Sequence, residues 1–414
     1  MNFLVRYQEP QVPIVGQIGA VPLYWLRSPE PLSYIGAWWI APALSSYPPG
    51  LRRLLLRLLA EENGRYPAGR LAEQFHRLGW EMEWESSRDA IFLTAEGLTE
   101  NLSSALSLLH EVVAYPILSG PAVRHHLTRL VEAEIRARAN PAYQANAYLQ
   151  AHLWGKSYSI TSIAPIEALM NMDITLLSSY YEQFIRRGLR GIVLMAPYLP
   201  ESIQKWSAWY APLQYDMPFP LQMPKVYETR PFSSAKQVSL RLAYPWVRPL
   251  HDFYVYYRMA LMRLGGYFGA QLMRAIREEA GLTYGIYAQS ESALAGSYMI
   301  ISSEVARERA SEAVALIHAE VEKWAKHPFP TEDILIEVRN YFLLHSMPET
   351  TREWAYRILR LIAAGLSPES FIQQTQQVNT LSELSDFPSI DLPNHPIVQV
   401  AVGTDANIFA LECV

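Results

Sequence analysis

A single cysteine, Cys413, stands in 414 residues, which leaves neither a disulfide framework nor a thiolate metal cluster. A basic surplus is missing too. The 35 Lys and Arg against 40 Asp and Glu give a formal net charge of -5, so sequence-independent nucleic-acid binding has no electrostatic footprint. No apolar run approaches the ~18 residues of a membrane-spanning helix. Met1 to Pro10 shows no basic start, apolar run or small-residue cleavage site of the kind a secretory leader carries. These absences point to a cytoplasmic protein, or to a periplasmic one if a leader has been removed.

Apolar and stiffening residues are plentiful. Half the chain is hydrophobic, and single cores rarely grow past ~250 to 300 residues, so two domains are expected. The 29 Pro, 25 Tyr and 11 Trp gather partly at turns such as Tyr47-Pro48-Pro49-Gly50 and Tyr244-Pro245-Trp246, where rigid backbone and large rings cover core edges.

The two halves align at an offset of roughly 205 residues, a signature of duplication. Leu78-Gly79 precedes a strand-like stretch as Ala280-Gly281 does, and Pro141 matches Pro348, each opening a helix that carries Tyr148 or Tyr356. Period-2 stretches predict strands at 22–27, 33–40, 80–85, 90–95 and 191–196, then at 237–243, 283–290, 296–303 and 397–402. Apolar spacing of i, i+3, i+4 predicts helices at 50–62, 69–78, 100–114, 121–138, 142–153 and 173–186. The second half adds 251–264, 267–279, 307–325, 331–345 and 350–364. Clustered strands followed by helices give an α+β fold: two homologous tandem domains, each a mixed or antiparallel sheet packed by helices on one face. The expected boundaries are 1–197, a linker at 198–234 rich in proline (Pro200, Pro212, Pro218, Pro220, Pro224, Pro231), and 235–414.

The most informative run is Leu264-Gly265-Gly266-Tyr267-Phe268-Gly269-Ala270-Gln271-Leu272-Met273-Arg274-Ala275-Ile276-Arg277-Glu278-Glu279-Ala280-Gly281-Leu282-Thr283-Tyr284. Gly281 sits where a helix C-terminus calls for a left-handed residue, and a strand starts directly after it. Arg277 and Tyr284 therefore project toward one region from a helix end and a new strand. Taken alone, Arg277 can serve merely to complement the helix dipole and Tyr284 to fill a strand edge.

This run resembles the second-domain signature of the pitrilysin/insulinase-type zinc metallopeptidases, the inverzincins. In members that divide the work between two chains, the resemblance implies that Arg277 and Tyr284 face the partner's zinc site and hold substrate backbone near the scissile bond. A guanidinium fork and a phenol are suitable donors to a peptide carbonyl or a developing oxyanion. In the first half, Leu71-Ala72-Glu73-Gln74-Phe75-His76-Arg77-Leu78-Gly79, then Ser86-Ser87-Arg88-Asp89 and Glu100-Asn101-Leu102, is similar to the segment that follows the family's metal helix.

The zinc motif is His-x-x-Glu-His, because i and i+4 on one helix face bring two imidazoles to one metal and the Glu activates water. Here Arg53, Leu56 and Arg57 occupy those positions, and guanidinium and Leu supply neither a ligand nor a base. No His in the chain is followed four residues later by another. Glu134 stands near the third-ligand position, where an ordinary helix-surface or salt-bridged Glu is expected, with Arg53 or Arg57 as its partner. The edge strand that docks substrate in the family reads Glu83-Trp84-Glu85-Ser86 here, whose bulk and charge speak against ordinary docking. His76, His110, His125, His126 and His318 are expected to be structural.

Three functions follow. The first is a non-catalytic subunit that binds no zinc itself and lends Arg277 and Tyr284 to a partner with an intact His-x-x-Glu-His. The alternatives are a non-enzymatic scaffold, comparable to core subunits of respiratory complexes with this resemblance, and a homodimeric peptide-binding module.

Overall fold

A computed structural model describes residues 11–40, 47–48, 50–158, 166–211, 221, 224–381, 383, 390–393 and 396–409. Cys413 and the linker residues Pro212, Pro218 and Pro220 lie outside these. In chain order the strands are β1 (Ile14–Ile18), β2 (Val21–Arg27), β3 (Leu32–Ile40), β4 (Trp80–Ser86), β5 (Ala90–Leu98), β6 (Leu189–Ala196), β7 (Val226–Arg230), β8 (Gln237–Pro245), β9 (Thr283–Ala293), β10 (Gly296–Ala306) and β11 (Val398–Val402). The helices are α1 (Leu51–Glu61), α2 (Arg70–Arg77), α3 (Leu102–Ala114), α4 (Gly120–Arg138), α5 (Pro141–Tyr158), α6 (Ile166–Met170) and α7 (Ile174–Tyr180). They continue with α8 (Tyr254–Gly265), α9 (Ala310–Lys326), α10 (Glu332–Ser346), α11 (Thr351–Ala363) and α12 (Pro368–Thr380), and a π-helical segment covers Met273–Glu279.

The strands form two sheets. The first runs β1-β2-β6-β3-β5-β4 and the second β7-β11-β8-β10-β9. Apart from the extra β1, the orders correspond strand for strand, and in each a single parallel pair, β2 with β6 and β7 with β11, interrupts antiparallel pairing. The fold is thus the expected duplicated α+β arrangement with mixed sheets. Two strands escaped the periodicity. Val226–Arg230 sits inside the stretch expected as linker, and its charged Glu228 and Arg230 masked a strand that only pairing to β11 makes regular. β1 is an edge strand whose Ile14 and Val15 are more than half exposed, so it carries no buried alternation.

Helices cover both faces of the first sheet, not one. Ile35, Ala37 and Trp39 of β3 enter a core with Leu51, Leu54, Leu55 and Leu58 of α1 and Leu106 and Leu109 of α3. On the opposite face, α11 lies across β3 and β6. There Gly36 and Gly191 have no side chain, and a Cβ on Gly36 would sit 2.6 Å from Leu359 Cδ2. In the second sheet α5 takes the equivalent place on β8 and β11, and α8 lies against β9.

The compact units are interleaved along the chain. One comprises Met1–Glu134, Ala164–Pro218 and Pro348–Glu369, the other Ile135–Ile163, Phe219–Met347 and Ser370–Val414. Each unit therefore takes one helix, α11 or α5, from the run of helices that follows the other unit's strands. The matched Pro141 and Pro348 open these two exchanged helices.

Trp39 is fully buried on β3, with its ring 5.5 Å from that of Trp84. Trp39→Ala is expected to lower unfolding stability by about 3 to 5 kcal/mol through cavity formation, read as a shift of the first unit's transition in urea.

Candidate functional site

The helix expected at the position of a metal-binding helix, α1, is well formed. On α1, Arg53, Arg57 and Glu61 follow at i, i+4 and i+8 and so share a face. On α4 the matching positions are His126, Leu130 and Glu134, all buried. The two ends of this seam are closed by polar contacts of opposite sense. Arg53 Nη2 lies 3.6 Å from Glu134 Oε2, and His126 Nε2 meets the Glu61 carboxylate. Glu134 is 4% exposed, so it is a buried, salt-bridged carboxylate and not a helix-surface one. Of the two arginines offered as its partner, Arg53 takes that role, and Arg57 is exposed.

Leu56 belongs to the apolar core with Leu54 and Leu55. Arg52 turns away and donates from Nη1 to the Arg88 carbonyl at 3.0 Å. This donor set does not fit zinc: guanidinium nitrogens offer no lone pair, and Leu56 cannot accept a proton. Among the described residues no cluster of three or more His, Cys, Asp or Glu side chains is arranged to hold a metal ion.

β4 is an outer strand of the first sheet. The pleat turns Trp84 to the core face, against Trp39, and Glu85 to the α11 face, opposite Phe92. Arg360 of α11 pairs with the Glu85 carboxylate while its guanidinium lies 3.9 Å from the Phe92 ring centroid, and Tyr356 Oη donates to Glu85 Oε1 at 3.3 Å. Arg352 pairs with Glu96 at 2.7 Å. Trp84 is thus part of the core rather than an obstruction, and Glu85 is neutralised. Sequence reading had no signal for these arginines because they lie 256 and 275 residues away.

A turn, a helix end and a bulge shape the segments that carry Arg277 and Tyr284. Gly265 ends α8 directly against β9: a Cβ there would fall 2.6 Å from the Ala288 backbone nitrogen, so only Gly permits this approach. Tyr267 stacks on Tyr341 with centroids 4.6 Å apart and anchors the turn. Phe268, its neighbour, faces outward at 63% exposed with the Arg277 guanidinium 4.5 Å from its ring centroid. The π-helical segment then closes at Gly281 with φ +62°, and the Leu282 amide donates back to the Ile276 carbonyl at 2.9 Å.

On β9, Thr283 pairs with Val305 and Ile286 with Ser303, so the β9 side carries one extra residue. Two hydroxyls, the buried Ser303 and the half-buried Thr283, hold this bulge: Thr283 Oγ1 donates to the Glu304 carbonyl at 2.7 Å, and Ser303 Oγ donates to Thr283 Oγ1 at 3.0 Å. A bulge re-aims a side chain, and here Tyr284 emerges 90% exposed on the outer strand of its sheet, with Tyr287 half exposed beyond it. Tyr284 therefore does not fill a strand edge. Phe268 and the Thr283–Ser303 lock lay within or beside the run singled out in the sequence, but neither role shows without strand register.

The histidines divide. His126 closes the α1–α4 seam, and His318 is buried. His152 Nε2 lies 2.6 Å from Glu228 Oε2, where Arg230 also binds; the His152 bond, then the Arg230 bond, hold the Glu228 carboxyl below its ordinary range against burial. His110 packs 5.2 Å from Trp209, and burial, then the Lys205 charge, push its pKa below the usual histidine value of 6.5. A depressed histidine favours the fold while neutral, so that contribution is complete above the unfolded pKa and is lost as pH falls through 6.5 toward the folded value. Between pH 7 and pH 5 the urea midpoint of the wild type is expected to fall more than that of His110→Gln.

Two α+β units with corresponding mixed sheets define a duplicated α+β architecture, with Arg53, Leu56 and Arg57 on α1 of the first unit and Arg277 and Tyr284 in the second. Residues 201–341 match the family described as peptidase M16 inactive domain. The fold is similar to that of a peptidase M16 inactive domain from Pseudomonas fluorescens (18% identity, 95% of this chain and 98% of that one covered, TM-score 0.84). It is also similar to a protease from Helicobacter pylori (12% identity, 95% and 100% covered, TM-score 0.79). The periplasmic protease PqqL from Escherichia coli shares it as well (14% identity, 93% of this chain against 44% of PqqL, TM-score 0.75). No curated protein matches in sequence. The whole chain thus shares the fold of these structures, and the family match itself lies in residues 201–341. No helix among its described residues is long and apolar enough to cross a membrane.

Proposed function

We propose that this chain is the non-catalytic subunit of a heterodimeric zinc peptidase, and that Arg277 and Tyr284 complete the site of a homologous partner with an intact His-x-x-Glu-His. The partner supplies zinc and the general base; this chain supplies donors to the peptide backbone. One observation carries the reading: Tyr284 is held 90% exposed on a bulge locked by the Thr283 and Ser303 hydroxyls, an arrangement the core does not need. The remade α1–α4 seam supports the division of labour, since it gives the first unit a structural role without a metal. The substrate is a peptide in extended conformation, and the working compartment is the cytoplasm or the periplasm.

Metal analysis and peptide hydrolysis on the isolated chain, on the partner and on their mixture test this. The chain alone is expected to hold no stoichiometric zinc and to cleave nothing, while the mixture exceeds the partner alone. One equivalent of zinc in the isolated chain would end the proposal.

The seam also suits a scaffold, because the metal helix has become an ordinary core element. Partner binding that persists, with activity indifferent to Arg277 and Tyr284, would favour that reading. Calorimetric binding of unfolded peptides by the chain alone, as a homodimer, would favour the peptide-binding module instead.

A further inference from the structure

We infer that Phe268 is a positioning residue for Arg277, holding its guanidinium by ring stacking so that every N–H donor stays free for a peptide carbonyl. The inference rests on the Arg277 role proposed above and adds the device that makes it work. A long side chain can be held in place in two ways. A carboxylate holds an arginine firmly but consumes two of its five donors and neutralises it. An aromatic face holds it through the ring quadrupole, leaving the in-plane donors unspent and the charge intact.

Three other arginines of the second unit take the first route. Arg309 pairs with Glu312, Arg230 with Glu228 and Arg241 with Glu304. Arg277 has no carboxylate and no hydrogen-bond acceptor among the described residues; its close contact is the Phe268 ring at 4.5 Å. Phe268 is itself 63% exposed, so core packing does not explain it, whereas adjacent Tyr267 is stacked inward on Tyr341. Gly265 against Ala288 fixes the turn that carries Phe268 to the same strand, β9, that carries Tyr284. The ring, the fork and the phenol therefore share one rigid base, and the fork's donors, unmet among the described residues, are left for a ligand to engage.

The test uses Phe268→Leu, which keeps an apolar side chain and removes the ring, and Phe268→Trp, which keeps a ring. In the full-length chain the Arg277 Nε–H resonance is expected to carry an upfield ring-current shift that is lost in Phe268→Leu and regained in Phe268→Trp. In the complex with the catalytic partner, Phe268→Leu is expected to lower peptide kcat/KM roughly two- to fivefold, the scale of an exposed cation–π contact. Phe268→Trp restores it, and the Leu variant adds no further loss to Arg277→Ala, a coupling that general destabilisation would not produce. An unmoved Arg277 resonance in Phe268→Leu overturns the inference. So does wild-type kcat/KM in Phe268→Leu where Arg277→Ala is impaired. Wild-type activity in Arg277→Ala overturns the proposed function itself, and the inference with it.

Discussion

Tyr284→Phe and Arg277→Ala, each reconstituted with the proposed zinc-bearing partner, are expected to lower kcat for peptide hydrolysis by roughly 10²-fold, with KM changing far less. The size follows from the loss of one preorganised donor at a developing oxyanion, which typically costs about 10² to 10³ in kcat. The split between kcat and KM follows from a contact that strengthens in the transition state. Both variants should fold and unfold as the wild type does. Tyr284 is 90% exposed, so removing its hydroxyl disturbs no core packing, and Arg277 leaves no buried partner unpaired. Arg277→Lys is informative beside them: it keeps the charge and loses the planar fork, so activity should stay near that of the Ala variant if geometry matters, and near wild type if charge alone does. Steady-state kinetics on the reconstituted pair decide this. A KM-only effect would move Arg277 and Tyr284 from transition-state support to simple peptide affinity.

Arg53→His/Leu56→Glu/Arg57→His in one chain is expected to create a zinc site where the wild type has none. The motif's spacing places both imidazoles on the α1 face that already meets Glu134, as the 3.6 Å pair between Arg53 and Glu134 shows. Without metal the variant should be less stable, because it loses that pair and sets a carboxylate among buried leucines, at about 1 to 3 kcal/mol for the unsatisfied group. With metal the binding energy becomes folding energy, and structural zinc sites supply on the order of 10 kcal/mol. Metal content after dialysis against micromolar zinc, together with the thermal midpoint with and without zinc, measures both arms. A variant that folds but retains no zinc would mean that the seam has drifted out of ligand alignment since the metal chemistry was lost. Peptidase activity is a separate matter, since the restored site would still need a second chain's donors.

Legibility differed between local and non-local features. The regular strands and the amphipathic helices were readable because burial imposes a period on each, and the unfitness of Arg53, Leu56 and Arg57 as zinc ligands was readable because ligand chemistry admits few residue types. β7 was not, since its Glu228 and Arg230 point to partners on α5, and a strand whose exposed side is engaged this way shows no alternation. Trp84 looked like an obstruction on an edge strand, and it is a core residue because the pleat decides which of two neighbours, Trp84 or Glu85, faces inward. The Tyr284 bulge depends on a count of residues across two strands, Thr283 to Ile286 against Val305 to Ser303, and no single segment contains that count.

By itself the sequence determined that the chain is a duplicated α+β protein, that Arg53, Leu56 and Arg57 on α1 offer neither zinc ligand nor base, and that an Arg and a Tyr flank a helix-ending Gly281. Those are properties of residue type and short-range spacing, which act through local sterics and coordination chemistry. The tertiary structure alone decided which sheet each helix covers, that Arg53 and not Arg57 answers Glu134, and that Tyr284 stands free while Arg277 rests on Phe268. An amphipathic helix states that one face must be buried but not against what, so two like sheets can exchange α5 and α11, and only long-range packing selects the partner.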